Sequence, residues 1–243
     1  MKRFLISLSF SLIVLGFQAQ AEIEFLYGIK EKVFDQQGNT QPIEPTEWNF
    51  GAGASGDDQL TAVSVTLPGD NSATSILNDD GFDLDPDPFA TKADLDAAYP
   101  NGSLSLSITD GGESQDLGPF SIEGDAYPIA PRITNALELQ ASDYSQDFPL
   151  AWNAFTGADE ADQIIIQIWD SNADTEVVFE FLPASDTSYT IPGNTFVENN
   201  YYEVEIIFVN ETDGLDTPET IIGYLSTTSY LLSTHTSDTT LQF

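Results

Sequence analysis

The residues best suited to chemistry are the aspartates of one acidic segment, NDDGFDLDPDPF, and of the short stretch that follows it. Seven aspartates lie within residues 79–96, where Lys92 is the only basic residue. Calcium binds several hard oxygen ligands that converge from a loop, and it needs neither a histidine nor a thiol. The sequence therefore predicts a calcium site with these candidate ligands: Asp79, Asp83, Asp85, Asp87 and Asp94.

A solvated acidic loop is the alternative interpretation of the same segment. An EF-hand loop would have Gly where Pro88 stands and Glu where Asp94 stands, so the segment is not an EF-hand. Repulsion among the carboxylates disfavours a compact loop until a counter-charge arrives. Calcium is the one cofactor that the sequence suggests, and both interpretations stay open at this point.

Catalytic residues are scarce in this chain. A serine hydrolase needs a histidine as its base, and the sole histidine, His235, lies in a Ser/Thr-rich tail. The absence of cysteine excludes disulfides, thiolate metal sites and a cysteine nucleophile. The glycines of NFGAGASGDD precede neither a helix nor a Lys-Ser/Thr pair, so they predict no phosphate-binding loop. We expect a protein that is not an enzyme; the alternative is a glycoside hydrolase, which needs only two carboxylates.

The charge balance excludes several partners. The chain has 6 Lys and Arg against 40 Asp and Glu, a formal net charge of −34. Nucleic acids and anionic membrane surfaces are bound through Lys and Arg, so neither is an expected partner. Hydrophobic residues make up 41% of the chain, which is sufficient for globular cores and too much for a disordered acidic tail. The expected partner is an extracellular protein or a polysaccharide.

A polysaccharide would be bound by aromatic side chains that a sheet turns outward. The alternation of polar and apolar residues makes four aromatic residues candidates: Trp48, Trp169, Tyr201 and Tyr230. The alternative for each is partial burial at a sheet face or at a domain interface.

The first 21 residues have the pattern of a secretory signal peptide. Lys2 and Arg3 precede the apolar run 4–17, and Ala19-Gln20-Ala21 is a small-x-small cleavage site. The run is shorter than the ~20 residues that span a bilayer. We expect cleavage after Ala21 and an exported protein, either periplasmic or secreted to the cell surface.

The rest of the chain alternates apolar and polar residues, which is typical of half-buried strands. Leu104, Leu106 and Ile108, for example, alternate with serines, and Asn-Gly and Asp-Gly dipeptides mark turns between such runs. One short helix is predicted over residues 91–99, where Thr91 acts as its N-cap. The predicted fold class is all-β.

A segment with two prolines, residues 126–131, divides the exported chain into two blocks. Pro128 and Pro131 favour an extended, stiff connection. Each block has the size of a β-sandwich. We expect two β-sandwich-like domains in tandem, with these bounds: signal peptide 1–21, N-terminal domain 22–126, linker 127–131, second domain 132–232 and polar tail 233–243.

The second block resembles the fibronectin type III family, whose domains are immunoglobulin-like sandwiches. Trp152 ends a predicted strand over 148–152, in the position of that family's core tryptophan. Phe196 precedes Tyr202 by six residues, which matches the family's Leu-to-Tyr spacing. The resemblance implies that Tyr202 forms a tyrosine corner, in which its hydroxyl bonds to nearby backbone.

In this family the module is usually a spacer or a binding platform, and the same architecture supports many functions. The first expectation is therefore an exported, non-enzymatic structural or adhesive surface protein. A polysaccharide-binding module is the alternative, and an exported hydrolase is the third interpretation.

Overall fold

The computed structural model describes residues 23–56, 60–70, 72–76, 82–110, 113–159, 161–214 and 219–235. The predicted signal peptide and Asp79 lie outside these residues. The strands and helices, in chain order, are β1 (Ile23–Asp35), β2 (Glu47–Gly56), β3 (Leu60–Thr66), β4 (Thr74–Ile76), β5 (Phe82–Leu84), α1 (Lys92–Ala98), β6 (Gly102–Asp110), β7 (Glu113–Ile122), α2 (Ala136–Gln140), β8 (Phe148–Ala151), β9 (Gln163–Asp170), β10 (Thr175–Pro183), β11 (Ser188–Ile191), β12 (Tyr201–Asp213) and β13 (Glu219–Ser233). The all-β prediction is confirmed.

One seven-stranded sheet, the shared sheet, contains strands from both halves of the chain. Its order is β10-β9-β12-β13-β1-β2-β5. Smaller sheets are formed by β4-β3-β6-β7 and by β11-β8. The strands β1 and β13 pair in parallel, from Phe25 opposite Glu219 to Asp35 opposite Ser229. The first and last described strands of the chain therefore lie side by side near the middle of the sheet.

Strand β13 contributes to two hydrophobic cores on the same face of the shared sheet. Side chains two residues apart in a strand lie on one face. Ile222 and Tyr224 belong to the N-terminal core, with residues of β1, β2, β3, β6, β7 and α1. Tyr230 and Leu232 belong to the second core, with residues of β8, β9, β11 and β12. The two sandwiches are thus built on one continuous sheet.

The predicted linker crosses this sheet between the two cores. The hydroxyls of Ser226 and Thr228, both buried, donate to the backbone oxygens of Pro128 and Pro131 at 2.8 and 2.7 Å. Both prolines lack an N–H, but their carbonyls still need hydrogen-bond partners when they are covered. The predicted domain bounds stay a prediction, since the segment 127–131 separates the cores while the sheet runs on across it.

The second sandwich has a fibronectin type III-like arrangement. The small sheet β11-β8 packs on the β10-β9-β12-β13 part of the shared sheet, with the second core between them. Trp152 is 3% exposed in that core, and its Nε1 donates to the backbone oxygen of Asp186 at 3.0 Å. The predicted burial of Trp152 is confirmed.

The opposite face of the shared sheet carries a third apolar cluster. Its buried members come from β1, β9, β12 and β13: Phe25, Tyr27, Ile29, Ile165, Ile207, Val209, Ile221 and Leu225. Phe25 and Phe179 line one cavity of about 20 Å³, although three strands separate β1 from β10. The sheet therefore coils around this face, as strongly twisted sheets do.

The helix predicted over 91–99 is α1, and Thr91 is its N-cap: the Thr91 hydroxyl oxygen accepts from the Asp94 N–H at 3.2 Å. No helix in the described part of the chain is long and apolar enough to cross a membrane.

Candidate functional site

Asp83 lies in the short edge strand β5, and its carboxylate is engaged by β1. The Tyr27 hydroxyl donates to Asp83 Oδ1 at 2.7 Å. This contact passes over Gly53 of β2, where a Cβ atom would lie 2.6 Å from Asp83 Oδ1 and 2.5 Å from the Phe82 backbone oxygen. Only a glycine leaves room for so close an approach. Asp83 is thus held against the sheet rather than in a free loop.

Partial burial and neighbouring carboxylates raise the pKa of Asp85. Partial burial is the largest cause, and the charges of Asp83, Glu31 and Asp87 add to it, so that the pKa of Asp85 rises to about 6. The Asp85 side chain nevertheless keeps contact with solvent. Like charges at short range disfavour the ionised form, which is the form that would bind a cation.

Glu31 is the residue of this region that sequence reasoning missed. It is buried in β1, where its carboxylate accepts hydrogen bonds from the Thr227 hydroxyl and from Asn49 Nδ2, the latter at 2.8 Å. Its signal in the sequence is that Glu31 lies on the same strand face as the apolar residues Ile29 and Val33. Its distance from Asp85 along the chain gave no reason to place the two together.

The C-terminal part of the acidic segment is neutralised from within the protein. Asp96 Oδ1 lies 2.7 Å from Lys30 Nζ, and Asp96 Oδ2 lies 2.5 Å from Lys92 Nζ. Lys92 also contacts Asp125 at 2.9 Å. The Lys30 side chain is 1% exposed and comes from β1, so the fold brings to the segment a second base that is remote in sequence.

The two lysines change the acidity of Asp96. Burial by itself would raise the pKa of Asp96, but the hydrogen bonds and charges of Lys30 and Lys92 outweigh it and lower that pKa. Burial in turn lowers the pKa of Lys30, and the contact with Asp96 counteracts this. The ion pairs therefore keep Asp96 ionised.

The candidate calcium ligands do not form one cluster among the described residues. Asp83 and Asp87 both act on Asp85, whereas Asp94 accepts a hydrogen bond from the Thr91 hydroxyl at 2.7 Å at the start of α1. Within the described ranges, no three His, Cys, Asp or Glu side chains converge closely enough to hold a metal ion. Asp79 lies outside those ranges, and the calcium site stays a prediction.

The four aromatic candidates separate into two pairs. Tyr230 is 6% exposed in the second core, and Trp48 is half-buried beside the N-terminal core, 5.3 Å from the Tyr127 ring. Trp169 is half-buried and Tyr201 is 41% exposed. Two candidates thus face inward, and two lie on the outer face of the shared sheet.

Trp169 and Tyr201 belong to one surface, here called the outer patch. Glu203 in β12 lies opposite Trp169 in β9 and opposite Leu231 in β13, while Trp169 lies opposite Glu176 in β10. Tyr201 stands two residues before Glu203 and therefore shares its face. The outer patch consists of Glu176, Trp169, Tyr201, Glu203 and Leu231.

Both carboxylates of the outer patch are held by neighbouring side chains. Glu203 Oε1 accepts from the Ser229 hydroxyl at 2.6 Å, and Glu176 Oε2 accepts from Gln167 Nε2 at 3.0 Å. Leu231 is 63% exposed. The Tyr201 ring lies 4.6 Å from the His235 ring. Trp169 thus lies between two ordered carboxylates, and Leu231 and Tyr201 lie next to Glu203.

His235 is exposed, and its described partners are the Tyr201 ring and Ser233 Oγ, the latter 3.2 Å from Nδ1. A catalytic serine would need this imidazole to be oriented by a third group, usually a carboxylate. The contacts of His235 do not include one of the described carboxylates.

The known proteins to which this chain is similar are solved structures. No family model matches the chain, and no curated protein matches it. A two-domain fibronectin type III segment from chicken tenascin is similar over 79% of this chain and 95% of that chain, with 11% identity and a TM-score of 0.31. The BSP domain of a biofilm associated protein is similar over 92% of this chain, with 12% identity and a TM-score of 0.23, and the match spans only 30% of that chain. The fibronectin type III-like fold of the second sandwich rests on its strand order, on Trp152 in its core and on the Tyr202 corner.

Proposed function

We propose that this chain is an exported, non-enzymatic protein with a structural or adhesive role at the cell surface or in the extracellular space. The observation that carries the proposal is the parallel ladder between β1 and β13, which ties both sandwiches into one sheet. Two sandwiches joined only by a linker would move independently. A shared sheet makes them one rigid unit, which suits a protein that transmits load.

The direction of the ladder also suits a protein that bears load. Because β1 and β13 run parallel, the start of β1 and the end of β13 lie at opposite ends of their ladder. A pull between these two points shears the ladder and loads its hydrogen bonds together rather than one after another. Resistance to forced unfolding depends on the height of the unfolding barrier, and this geometry raises it.

The charge of the protein agrees with an exposed extracellular position. A net charge of −34 favours solubility, and salt screens the self-repulsion that it causes. The partner in this proposal is an extracellular protein or a polysaccharide rather than a nucleic acid or an anionic membrane surface. The rival function is a glycoside hydrolase, which would need two carboxylates across a substrate cleft.

Calcium is the stabilising ion in this proposal. Asp83, Asp85 and Asp87 repel one another, and a divalent cation would relieve that repulsion. Asp79 and Asp94 complete the predicted ligand set.

Export and attachment together test the proposed function. In the cell that makes the protein, we expect an exported chain that starts at Glu22 and is cut by protease added to intact cells. Deleting the gene should reduce attachment of the cells to a surface, and the purified exported chain should restore it. A chain that retains residues 1–21, or unchanged attachment after deletion, would contradict the proposal. Hydrolysis of a polysaccharide by the purified chain would favour the rival.

A further inference from the structure

Lys30 of β1 carries a buried amine that the proposed function does not use. Its side chain is 1% exposed and shares a face of the sheet with Phe50 of β2 and Tyr224 of β13, its cross-strand neighbours in the N-terminal core. Most lysines keep the ammonium group in water, so burial to this degree is unusual. Burial also lowers the pKa of Lys30 and so favours the neutral amine, which is a nucleophile.

Two side chains contact the Lys30 amine: Asp96 of α1, and Asn101, which precedes β6. Nζ lies 2.7 Å from Asp96 Oδ1 and 2.6 Å from Asn101 Oδ1. Because a C=O bond is about 1.23 Å long, the carbonyl carbon Cγ of Asn101 lies no more than about 3.8 Å from Nζ. Reacting atoms that are poised for attack are about 3–3.5 Å apart. At most a small movement therefore separates the amine from attack on this carbon.

The Asn101 amide is held in place from its other side. Asn101 Nδ2 donates to Asp125 Oδ1 at 2.8 Å, and the same oxygen lies 2.9 Å from Lys92 Nζ. The Asp125 backbone N–H in turn donates to the Tyr224 hydroxyl at 3.3 Å. The amide oxygen thus faces the buried amine, while the amide nitrogen lies beside Asp125, which is exposed. A nitrogen that leaves the amide there has a route to solvent.

We infer that Lys30 and Asn101 form a covalent amide cross-link and that Asp96 moves the protons of the reaction. Asp96 Oδ1 takes a proton from the Lys30 ammonium, and Nζ attacks Cγ of Asn101. The Nζ–Cγ bond forms and the Cγ–Nδ2 bond breaks. Nζ gives up two protons in all: one converts the departing NH2 group to ammonia, and the other leaves with it as ammonium. Asp96 ends the reaction ionised, and no oxidant, reductant or cofactor is needed.

The cross-link joins the two sheets of the N-terminal sandwich. Lys30 belongs to the shared sheet, and Asn101 begins the turn into β6 of the sheet β4-β3-β6-β7, 71 positions further along the chain. Exported proteins are commonly cross-linked by disulfides, which this chain cannot form because it has no cysteine. A covalent link between residues remote in sequence stabilises a fold by constraining the unfolded chain. The inference goes beyond the proposed function and does not depend on an adhesive role.

Two other states of the same residues must be distinguished from the cross-link. In the first, Lys30 stays an ammonium group that is only hydrogen-bonded to Asp96 and Asn101. In the second, the backbone nitrogen of Gly102 attacks Cγ of Asn101 and closes a succinimide, which also releases ammonia. The mass of the intact chain separates the cross-link from the first state, and a peptide map separates it from both.

The test is a tryptic peptide map of the exported chain as the cell makes it. Trypsin cuts after the basic residues of that chain, which are Lys30, Lys32, Lys92 and Arg132. A cross-linked Lys30 is no longer cut, so we expect one branched peptide that joins the segment ending at Lys32 to residues 93–132. The intact mass should be lower than that of the sequence by one ammonia. A free peptide ending at Lys30 would overturn the inference, with the full mass in the hydrogen-bonded state and with one ammonia lost in the succinimide.

Matched variants assign the reacting groups. Lys30→Arg and Asn101→Ala should both keep the full mass, whereas Lys32→Arg, on the same face of β1, should lose one ammonia as the parent does. Loss of ammonia in Lys30→Arg would identify the succinimide and overturn the cross-link. Because Lys30 is buried, its variant can fail to fold; Asn101 is exposed, and the map of the parent needs no variant at all.

Asp96→Asn tests the proton transfer. This variant should fold, as circular dichroism would show, and should keep the full mass and release a free peptide ending at Lys30. Cross-linking to the same extent as in the parent would overturn the part assigned to Asp96.

Discussion

The hydroxyl oxygen of Tyr202 accepts a hydrogen bond from the backbone N–H of Val197 at 2.9 Å. Asn200 Nδ2 donates to the same oxygen at 3.0 Å. The Tyr202 ring is buried in the second core, 4.9 Å from the Phe196 ring. The tyrosine corner implied by the spacing of Phe196 and Tyr202 is confirmed, and it anchors the turn that leads into β12.

We expect Tyr202→Phe to lower the free energy of unfolding by about 1–2 kcal/mol, because it leaves the Val197 and Asn200 donors without this acceptor. Urea denaturation measures the change. Tyr201→Phe is the matched control, since the neighbouring hydroxyl is on an exposed side chain, and it should stay within about 0.5 kcal/mol of the parent. A Tyr202→Phe effect no larger than that of the control would contradict a structural role for the corner.

Trp152→Ala should lower the free energy of unfolding by about 3–5 kcal/mol, the usual effect of truncating a buried aromatic residue. The variant also leaves the Asp186 carbonyl without its Nε1 donor. Trp169→Ala removes the same side chain from the outer face and should cost less than about 1 kcal/mol. Comparable losses in the two variants would mean that Trp152 does not centre the second core.

The two halves of the chain should differ in their ability to fold alone. A fragment of residues 128–243 contains every residue of the second core and should show a dispersed NMR spectrum. A fragment of residues 22–126 lacks Ile222 and Tyr224 of its own core and the partner strand of β1, so it should stay unfolded. Mixing the fragments should restore its structure. Independent folding of 22–126 would contradict the contribution of β13 to the N-terminal core.

Stability should rise as the pH falls from about 7 towards 4. The pKa of Asp85 is about 6 in the folded chain and about 3.9 in an unfolded one, so the folded state binds the proton first and gains stability on acidification. Thermal melts across this range measure the effect. Asp85→Asn should raise the melting temperature at pH 7 and reduce the rise on acidification. A rise of the same size in parent and variant would exclude Asp85 as its source.

Below about pH 4 the trend should reverse because of Asp96. Its pKa is lowered in the folded chain by Lys30 and Lys92, so the stability that it contributes is present above the unfolded pKa and is lost as the pH falls through the folded one. Asp96→Asn should be less stable than the parent at pH 7 and should lose less stability in acid. The same melts, extended to pH 2, compare the two proteins.

Calcium at 10 mM should raise the melting temperature relative to EDTA at matched ionic strength. Stabilisation is on the order of 1.4–2.7 kcal/mol at 10 to 100 times the dissociation constant, which is about 10⁻⁴–10⁻³ M for extracellular sites. The effect should vanish when Asp83, Asp85 and Asp87 are all replaced by Asn. It should persist when three exposed glutamates elsewhere, Glu44, Glu123 and Glu198, are replaced by Gln. Equal shifts in both triple variants would indicate general screening of charge.

Local patterns were sufficient to predict several of the elements, but not α2 or the short strands β4 and β5. The alternation of Leu104, Leu106 and Ile108 predicted a strand, and Thr91 marked the start of the helix, because strand period and helix capping depend on neighbours in sequence. The spacing of Phe196 and Tyr202 is equally local, since both residues belong to one turn and the strand that follows it.

Alternation could not separate the outward aromatic residues from the inward ones. Tyr230 and Trp169 both stand in alternating strands, yet Tyr230 lies in the second core and Trp169 in the outer patch. A period of two divides the residues of a strand between two faces without stating which face is covered. The element that covers a face can be any other part of the chain, so this property belongs to the tertiary structure.

The sequence by itself thus determined the all-β class, the helix α1, the core tryptophan and the tyrosine corner. Only the tertiary structure decided the parallel pairing of β1 with β13, the approach of Glu31 to Asp85 and the contact of Lys30 with Asp96. The physical reason is the same for all three. Strands pair where the whole chain buries the most apolar surface and satisfies its backbone hydrogen bonds, and a strand carries its charged residues with it to partners that are remote in sequence.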